Sequence, residues 1–433
     1  MSRLLYTVLL LLLLPLVPLR LLWRSLRQPE YLHHCGERFG FFGPVTDQPV
    51  IWLHCVSVGE THASAPLVEL LRQHYPGHAI LLTHTTPTGR AASEQLFGDT
   101  VLRAYLPYDL PFAVGRFLKH FRPQVGLLME TELWFNLIHA CKARGIPLLL
   151  VNARMSAKSA RGYARLGWLV ENALEQLTTV AAQTREDAER LCELGAPQAV
   201  VTGNLKFDVM PSENAMRQAG ALRRLCGEGR PVFLAASTRE GEEALVLDAV
   251  AQAAVPGLLT VIVPRHPQRF DEVAALLEKR GVRYRRRSEN MVVEPDCQVL
   301  LGDSMGEMPA YYAACDLAFI GGSLLPYGGQ NLIEACALGK PVLIGPHTFN
   351  FEEAASQAVI QGAAARVWDA ASLASELREL MADATARKHM GEAGLAFAAA
   401  NRGAARRTLE LVEAALKKPA RRREGPGARG LSI

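Results

Sequence analysis

Short apolar runs recur along this chain, and each ends in a polar or glycine-bearing loop. Runs at 50–56, 79–82, 125–129, 147–151, 180–182 and 200–202 form a first series. Helical spacing fills the gaps, as with Leu67, Leu70 and Leu71 after the first run. Continuous apolar runs of strand length separated by amphipathic stretches predict strands of a parallel sheet joined by helical crossovers. The stretch 210–230 is looser. The pattern then restarts with runs at 232–235, 259–263, 299–301, 317–320 and 342–345. Two successive α/β halves follow, each a Rossmann-like domain, with the break near 208–231. At 433 residues the chain is too long for one ordinary core, which agrees. The predicted division is 28–208 and 209–416, with the two domains facing an interdomain cleft.

The stretch from Asp316 to Pro346 organises the second half. An apolar run, 317–320, leads into a turn with Gly321, Gly322, Gly328 and Gly329. A helical pattern over 331–338 is stopped by Gly339 and Pro341, and an apolar run at 342–345 closes a βαβ unit. Asn331 suits an N-cap, with Glu334 three residues on as in a capping box. A helix starting after a glycine loop offers free N–H groups to an anion, although Asn-x-x-Glu at a helix start is also an ordinary cap.

The first 27 residues differ. Positions 4–19 are apolar apart from Tyr6 and Thr7, with Pro15 and Pro18 inside the run. No small-residue cleavage site follows. Arg20, Arg24 and Arg27 lie after the run and only Arg3 before it. An uncleaved membrane anchor, or a segment lodged in one leaflet, is expected, with the body on the cytoplasmic side. The segment 417–433, with basic residues, Pro and Gly, reads as a disordered tail attracted to anionic headgroups.

Composition narrows the classes. Apolar residues make up 49% and charged residues 21%, as in a folded protein. A net charge of +4 gives no reason to expect nucleic acid. The eight cysteines are scattered with no CxxC pair, so neither zinc nor a disulfide framework is signalled. His74 and His78 bracket Pro76 and Gly77, a loop rather than a metal-binding helix face.

Chemistry-bearing residues gather where strands end. Glu60 follows the first strand just inside a helix start, where an acid also offsets the helix dipole. Glu130 closes the 125–129 run, with Glu132 beside it. Two acids from neighbouring strand ends suit activation of a hydroxyl. Lys206, Arg239, Arg265 and His266 supply cations suited to a phosphate leaving group. The sequence has no GxxxxGKS loop, no GxGxxG at a strand–helix turn and no DxD.

Together the stretches IWLHCVSVGE, TTPTG, YLPYDLP, METELWFN, NARMS, GNLKFD, PRHPQRF, GDSMGEM and GGQNLIEACALGKPVLIGPHTFNF resemble the Kdo (3-deoxy-D-manno-octulosonic acid) transferase family. The resemblance covers about 35–370 in order. Departures from it are Cys55, His84, Phe135 and Met155, none on an expected chemical group. It implies a GT-B glycosyltransferase that moves Kdo from CMP-Kdo to the lipid A precursor (lipid IVA) with inversion and without a metal. Glu60 matches the family's proton acceptor, and Glu130 and Lys206 match residues assigned to transition-state support. Arg265 and His266, then Gly306, Glu307 and Met308, then Asn331, Leu332, Ile333 and Glu334, match the CMP-binding segments. The implied setting is the inner membrane. Another GT-B enzyme such as a sugar-nucleotide epimerase, or a non-catalytic nucleotide-binding scaffold, are the alternatives. Glu60, Glu130 and Lys206 speak against the scaffold, and the anchor and Glu60 against the epimerase.

Overall fold

The computed structural model of the protein describes residues 2–26, 28–44 and 46–417. The chain folds as two compact units. One holds the chain to Val209 and takes back the segment from Arg402, and the other runs Met210–Asn401.

The first unit carries seven strands: β1 (Val50–His54), β2 (Ala79–His84), β3 (Leu102–Tyr105), β4 (Pro123–Met129), β5 (Leu148–Ala153), β6 (Thr179–Ala182) and β7 (Ala199–Val201). They pair in the order β3-β2-β1-β4-β5-β6-β7, all parallel. β1 shows why the runs are continuous. Val50 and Trp52 enter the core on one face, and Ile51 and Leu53 the core on the other. With period-2 geometry and helices on both sides, every position must be apolar. Trp52 keeps its polar edge satisfied by donating Nε1–H to Thr83 Oγ1 at 2.8 Å.

The second unit repeats the plan with β8 (Val232–Thr238), β9 (Leu259–Pro264), β10 (Tyr284–Arg286), β11 (Val299–Leu301), β12 (Leu317–Ile320), β13 (Val342–Ile344) and β14 (Ala364–Arg366). Its order is β10-β11-β9-β8-β12-β13-β14, again parallel. Each sheet is a Rossmann-like array. β3, β10 and β14 have no counterpart in the apolar pattern. They are short edge strands, half solvated, and Tyr-Arg-Arg at β10 needs no apolar run.

Two expectations are corrected. Residues 402–416 belong with the first sheet, not the second. On the helix Ala404–Lys417, Ala405, Leu409 and Val412 join the core cluster that holds Leu67. Asp208 fixes the helix entry by accepting N–H bonds from Gly403 and Ala405, both at 2.6 Å. An apolar helical stripe does not say which sheet it will cover.

The N-terminal run is not one span. Pro15 lacks a backbone N–H, and the run breaks into α1 (Arg3–Leu13) and α2 (Leu16–Ser25), bent by 57°. Among the described residues no single helix is long and apolar enough to cross a membrane, although the bent pair together has the length and composition. Eleven residues of helix reach about 16 Å against a hydrocarbon core of about 30 Å. The first helix also docks on the protein: Tyr6 Oη donates to Asp109 Oδ2 at 3.0 Å, Thr7 Oγ1 to Asn136 Oδ1 at 3.0 Å, and Tyr6 stacks edge-on against Phe135. Arg27 and the tail beyond Lys417 lie outside the described residues.

Candidate active site

In the first unit the strand order reverses between β1 and β4. Ligands of open parallel sheets bind beyond the carboxyl ends at such a point. Both sequence-predicted acids sit there. Glu60 lies in the first turn of α3 (Val58–His74), which Ser57 caps. Its carboxylate accepts the Val56 N–H at 2.8 Å and the Ser57 hydroxyl at 2.9 Å, and it is only 8% exposed. Burial, then the negative charge of Glu130, push its pKa up to about 7, against the pull of those two hydrogen bonds. Glu132, half-buried beside them, is raised as well, first by burial and then by Glu130. A carboxylate poised near neutrality is suited to taking a hydroxyl proton.

Glu130 leaves β4 with φ at +56°, a left-handed conformation that costs energy for a residue with a Cβ. Lys206 Nζ stands 3.7 Å from Glu130 Oε1. The lysine rides on the turn Leu205–Asp208, and that turn is held by a residue the sequence reading passed over. Asn152, fully buried with φ at +52°, accepts the Leu205 N–H through Oδ1 at 3.0 Å. An Asn directly after an apolar strand run was the available signal. His54 and His84, buried at neighbouring strand ends, are pushed down to about 3 and about 4 by burial, so they stay neutral near pH 7.

In the second unit the order reverses between β8 and β12, and the cations and the glycine loop follow those strands and β9. Arg265 Nε donates to Gln330 Oε1 at 3.2 Å, and burial followed by Arg239 lowers its pKa. His266 is lowered too, by burial and then by Arg239, Arg265 and Arg269. Arg239 lies over the Tyr327 ring at 4.6 Å. Two mutually repelling guanidinium groups and an imidazole at one sheet edge make a site for an anion.

The glycines fit this loop sterically. A Cβ on Gly321 would come within 2.5 Å of the Ser237 carbonyl oxygen, so the two loops meet backbone to backbone. The helix after the loop is shorter than expected, Ile333–Ala337, and the capping box does not form. Asn331 Oδ1 accepts the Ile333 N–H at 3.1 Å while its Nδ2 donates to Glu334 Oε1 at 2.8 Å. Leu332 and Ile333 are buried beneath. Tyr312 Oη donates to the Asn331 carbonyl at 3.4 Å, tying this turn to the helix Met308–Ala314 and so to Gly306, Glu307 and Met308. Gly306 takes φ +80°, and Glu307 is engaged by Arg287 at 3.0 Å and Ser304 at 2.5 Å. The predicted nucleotide segments therefore converge within this unit.

Two further acids organise that edge. Glu242, fully buried, accepts N–H bonds from Gly322 at 2.5 Å, Arg239 at 2.9 Å and Leu324 at 3.0 Å. It joins the glycine loop to the loop bearing Arg239. Glu243 accepts from Thr238 Oγ1 at 2.7 Å and from both arms of Arg269 at 2.6 and 3.0 Å. In sequence both look like ordinary helix-start acids.

Among the described residues no group of three or more His, Cys, Asp or Glu side chains is placed to hold a metal ion.

The two switch-point sheets define the class. Across solved structures the fold is similar to a glycosyltransferase from Rickettsia africae (TM-score 0.60, 14% identity, 86% of this chain and all of that one). It is also similar to the UDP-GlcNAc 2-epimerase of Neisseria meningitidis (TM-score 0.61, 16% identity, 84% of this chain and all of that one). This is the GT-B class, two Rossmann-like domains, and the model of the glycosyl transferases group 1 family matches residues 246–397. The family model of the 3-deoxy-D-manno-octulosonic-acid transferases matches residues 33–209. The 3-deoxy-D-manno-octulosonic acid transferase of Bordetella pertussis is 47% identical, over 95% of this chain and 99% of the relative. That of Haemophilus influenzae is 40% identical, over 96% and 100%. The chain belongs to the 3-deoxy-D-manno-octulosonic acid transferase family of glycosyltransferases.

Proposed function

We propose that this protein transfers Kdo from CMP-Kdo to a hydroxyl of the lipid A precursor, lipid IVA, with Glu60 as general base. Family membership supports the sugar and its donor. The observation that carries the base is the Glu60 carboxylate at the β1–β4 switch point, buried beside Glu130 and raised to about 7. Glu60 takes the acceptor hydroxyl proton as that oxygen bonds to the anomeric carbon of Kdo. The bond from that carbon to the CMP phosphate oxygen breaks, and its electron pair leaves with CMP. Attack opposite the leaving group inverts the centre. Glu130 steadies the cationic character of the sugar, and Lys206 holds Glu130 in place. Arg265, His266 and the segments 306–308 and 331–334 hold CMP. A monophosphate leaving group can be met by fixed cations, so the reaction as proposed needs no metal.

The body works at the cytoplasmic face of the inner membrane. Support for this comes from α1 and α2, which leave Leu4, Leu12, Leu19 and Trp23 exposed, apolar surface suited to lying in one leaflet.

The test is incubation of the purified protein with lipid IVA and a CMP-Kdo generating system, reading CMP release and product mass. Kdo-bearing product is expected, and its absence discards the reading. Loss of sedimentation with phospholipid vesicles on deleting residues 2–26 is expected as well, and retained sedimentation removes the membrane role of this segment.

A further inference from the structure

The stretch 153–170 contains Arg154, Lys158, Arg161 and Arg165 and no acid, so its formal charge equals that of the whole chain. Its helix, Ala157–Ala164, buries none of its residues. Yet it is tied to the acid loop from both ends. Thr131 Oγ1 donates to the Arg154 carbonyl, and Tyr163 Oη donates to the Thr131 carbonyl at 3.3 Å. Ser156 caps the helix, and Asp187 and Arg190 fix its base by bonding Met155 N–H at 2.7 Å and its carbonyl at 3.0 Å. A helix that packs Ala160 and Tyr163 only partly against the core is thus held beside Glu130 and Glu132.

Lys158, Arg161 and Arg165 follow a spacing of three and then four residues, which places them on one helix face. All three are exposed, and none forms an ion pair among the described residues. Some other exposed helical cations have an acid four residues away, as in Arg185–Glu189 and Lys388–Glu392. Here the partner is missing from the sequence itself. A fixed row of unneutralised cations at the edge where an acceptor hydroxyl must lie is built for an anionic acceptor, and two guanidinium forks match phosphate oxygens.

We propose that the Lys158–Arg161–Arg165 face binds a phosphate group on the saccharide head of the acceptor and thereby positions its hydroxyl at Glu60. This rests on the transferase reading above and adds to it the group by which the acceptor is recognised.

The test uses the full-length protein and the variant Lys158→Gln/Arg161→Gln/Arg165→Gln. Transfer is measured in neutral detergent micelles, with acceptor carrying its phosphates and with acceptor enzymatically dephosphorylated. For the phosphorylated acceptor KM should rise about tenfold or more, because charge-assisted bonds are lost. For the dephosphorylated acceptor the variant and the parent should share one KM. Donor KM should not move, and Arg161→Lys should retain part of the affinity. An equal KM rise for both acceptors, or none, overturns the proposal. A difference that appears only when phosphatidylglycerol is added assigns the face to membrane lipid and also overturns it. Direct titration of both acceptors without donor tests the face independently: should the parent bind phosphorylated acceptor better but transfer nothing, the transferase reading fails and the binding face stands.

Discussion

Lys206 Nζ lies 3.7 Å from Glu130 Oε1, and each partner reaches that point through a strained neighbour. Glu130 itself takes φ +56°, and the lysine's turn hangs from Asn152 at φ +52°. Strain at two strand ends that meet in one ion pair marks a place where geometry is held against cost. Ser237, at φ +57° on the carboxyl end of β8, is the corresponding point in the second unit.

Glu60 sets the first prediction. With its pKa near 7, log kcat/KM should rise with unit slope below about pH 7 and level off above it, because the base must be deprotonated. Glu60→Gln should abolish transfer while CMP binding survives. Glu130→Gln removes the charge that helps raise Glu60, so the acid limb measured on its residual activity should move to lower pH. An unmoved limb would detach the two carboxylates.

Lys206 should act on turnover. We predict that Lys206→Ala lowers kcat by about tenfold or more, with donor KM changing far less, since an opposite charge is withdrawn from Glu130 at the reacting edge. Steady-state kinetics with varied CMP-Kdo decides it, and an unchanged kcat takes the lysine out of the mechanism.

Asn152 separates conformation from hydrogen bonding. Asn152→Gly keeps the left-handed backbone and loses the bond to Leu205 N–H, for a cost of about 1–2 kcal/mol. Asn152→Ala adds backbone strain of about 1 kcal/mol or more. Thermal unfolding should therefore rank the parent above Gly and Gly above Ala. Both variants should lose turnover with Lys206 displaced.

Glu242 makes the prediction for the nucleotide unit. Glu242→Gln replaces one acceptor oxygen with an N–H₂ group facing backbone N–H donors, at a cost of about 2 kcal/mol or more. CMP affinity should fall by about tenfold, read by calorimetric titration, while the acid limb assigned to Glu60 stays where it was. Equal CMP affinity would mean the glycine loop holds its shape without this carboxylate.

Much of the architecture was legible because burial on both faces of a parallel strand forces a continuous apolar run. β1, β4, β5, β8, β9 and β12 could be read in that way, and the loops after them pointed to Glu60, Glu130, Arg265 and the glycine turn. The helix Ala404–Lys417 could not be assigned to its sheet, because a stripe such as Ala405, Leu409 and Val412 fits any apolar face. Pro15 was visible, but whether it merely bends a span or ends a helix depends on what Tyr6 and Thr7 find to bond.

Local physical chemistry along the chain determined the parallel strands, the two halves and the residue types at their ends, since these follow from periodicity and side-chain character alone. Strand order belonged to tertiary structure, and strand order decides which loops become neighbours. By setting β1 against β4, the fold put Glu60 and Glu130 in each other's field and raised a carboxylate to about 7. By setting β8 against β12, it gave Glu242 two loops to hold. Desolvation and charge–charge coupling act through space, so their outcome is written in the packed molecule rather than in the order of its residues.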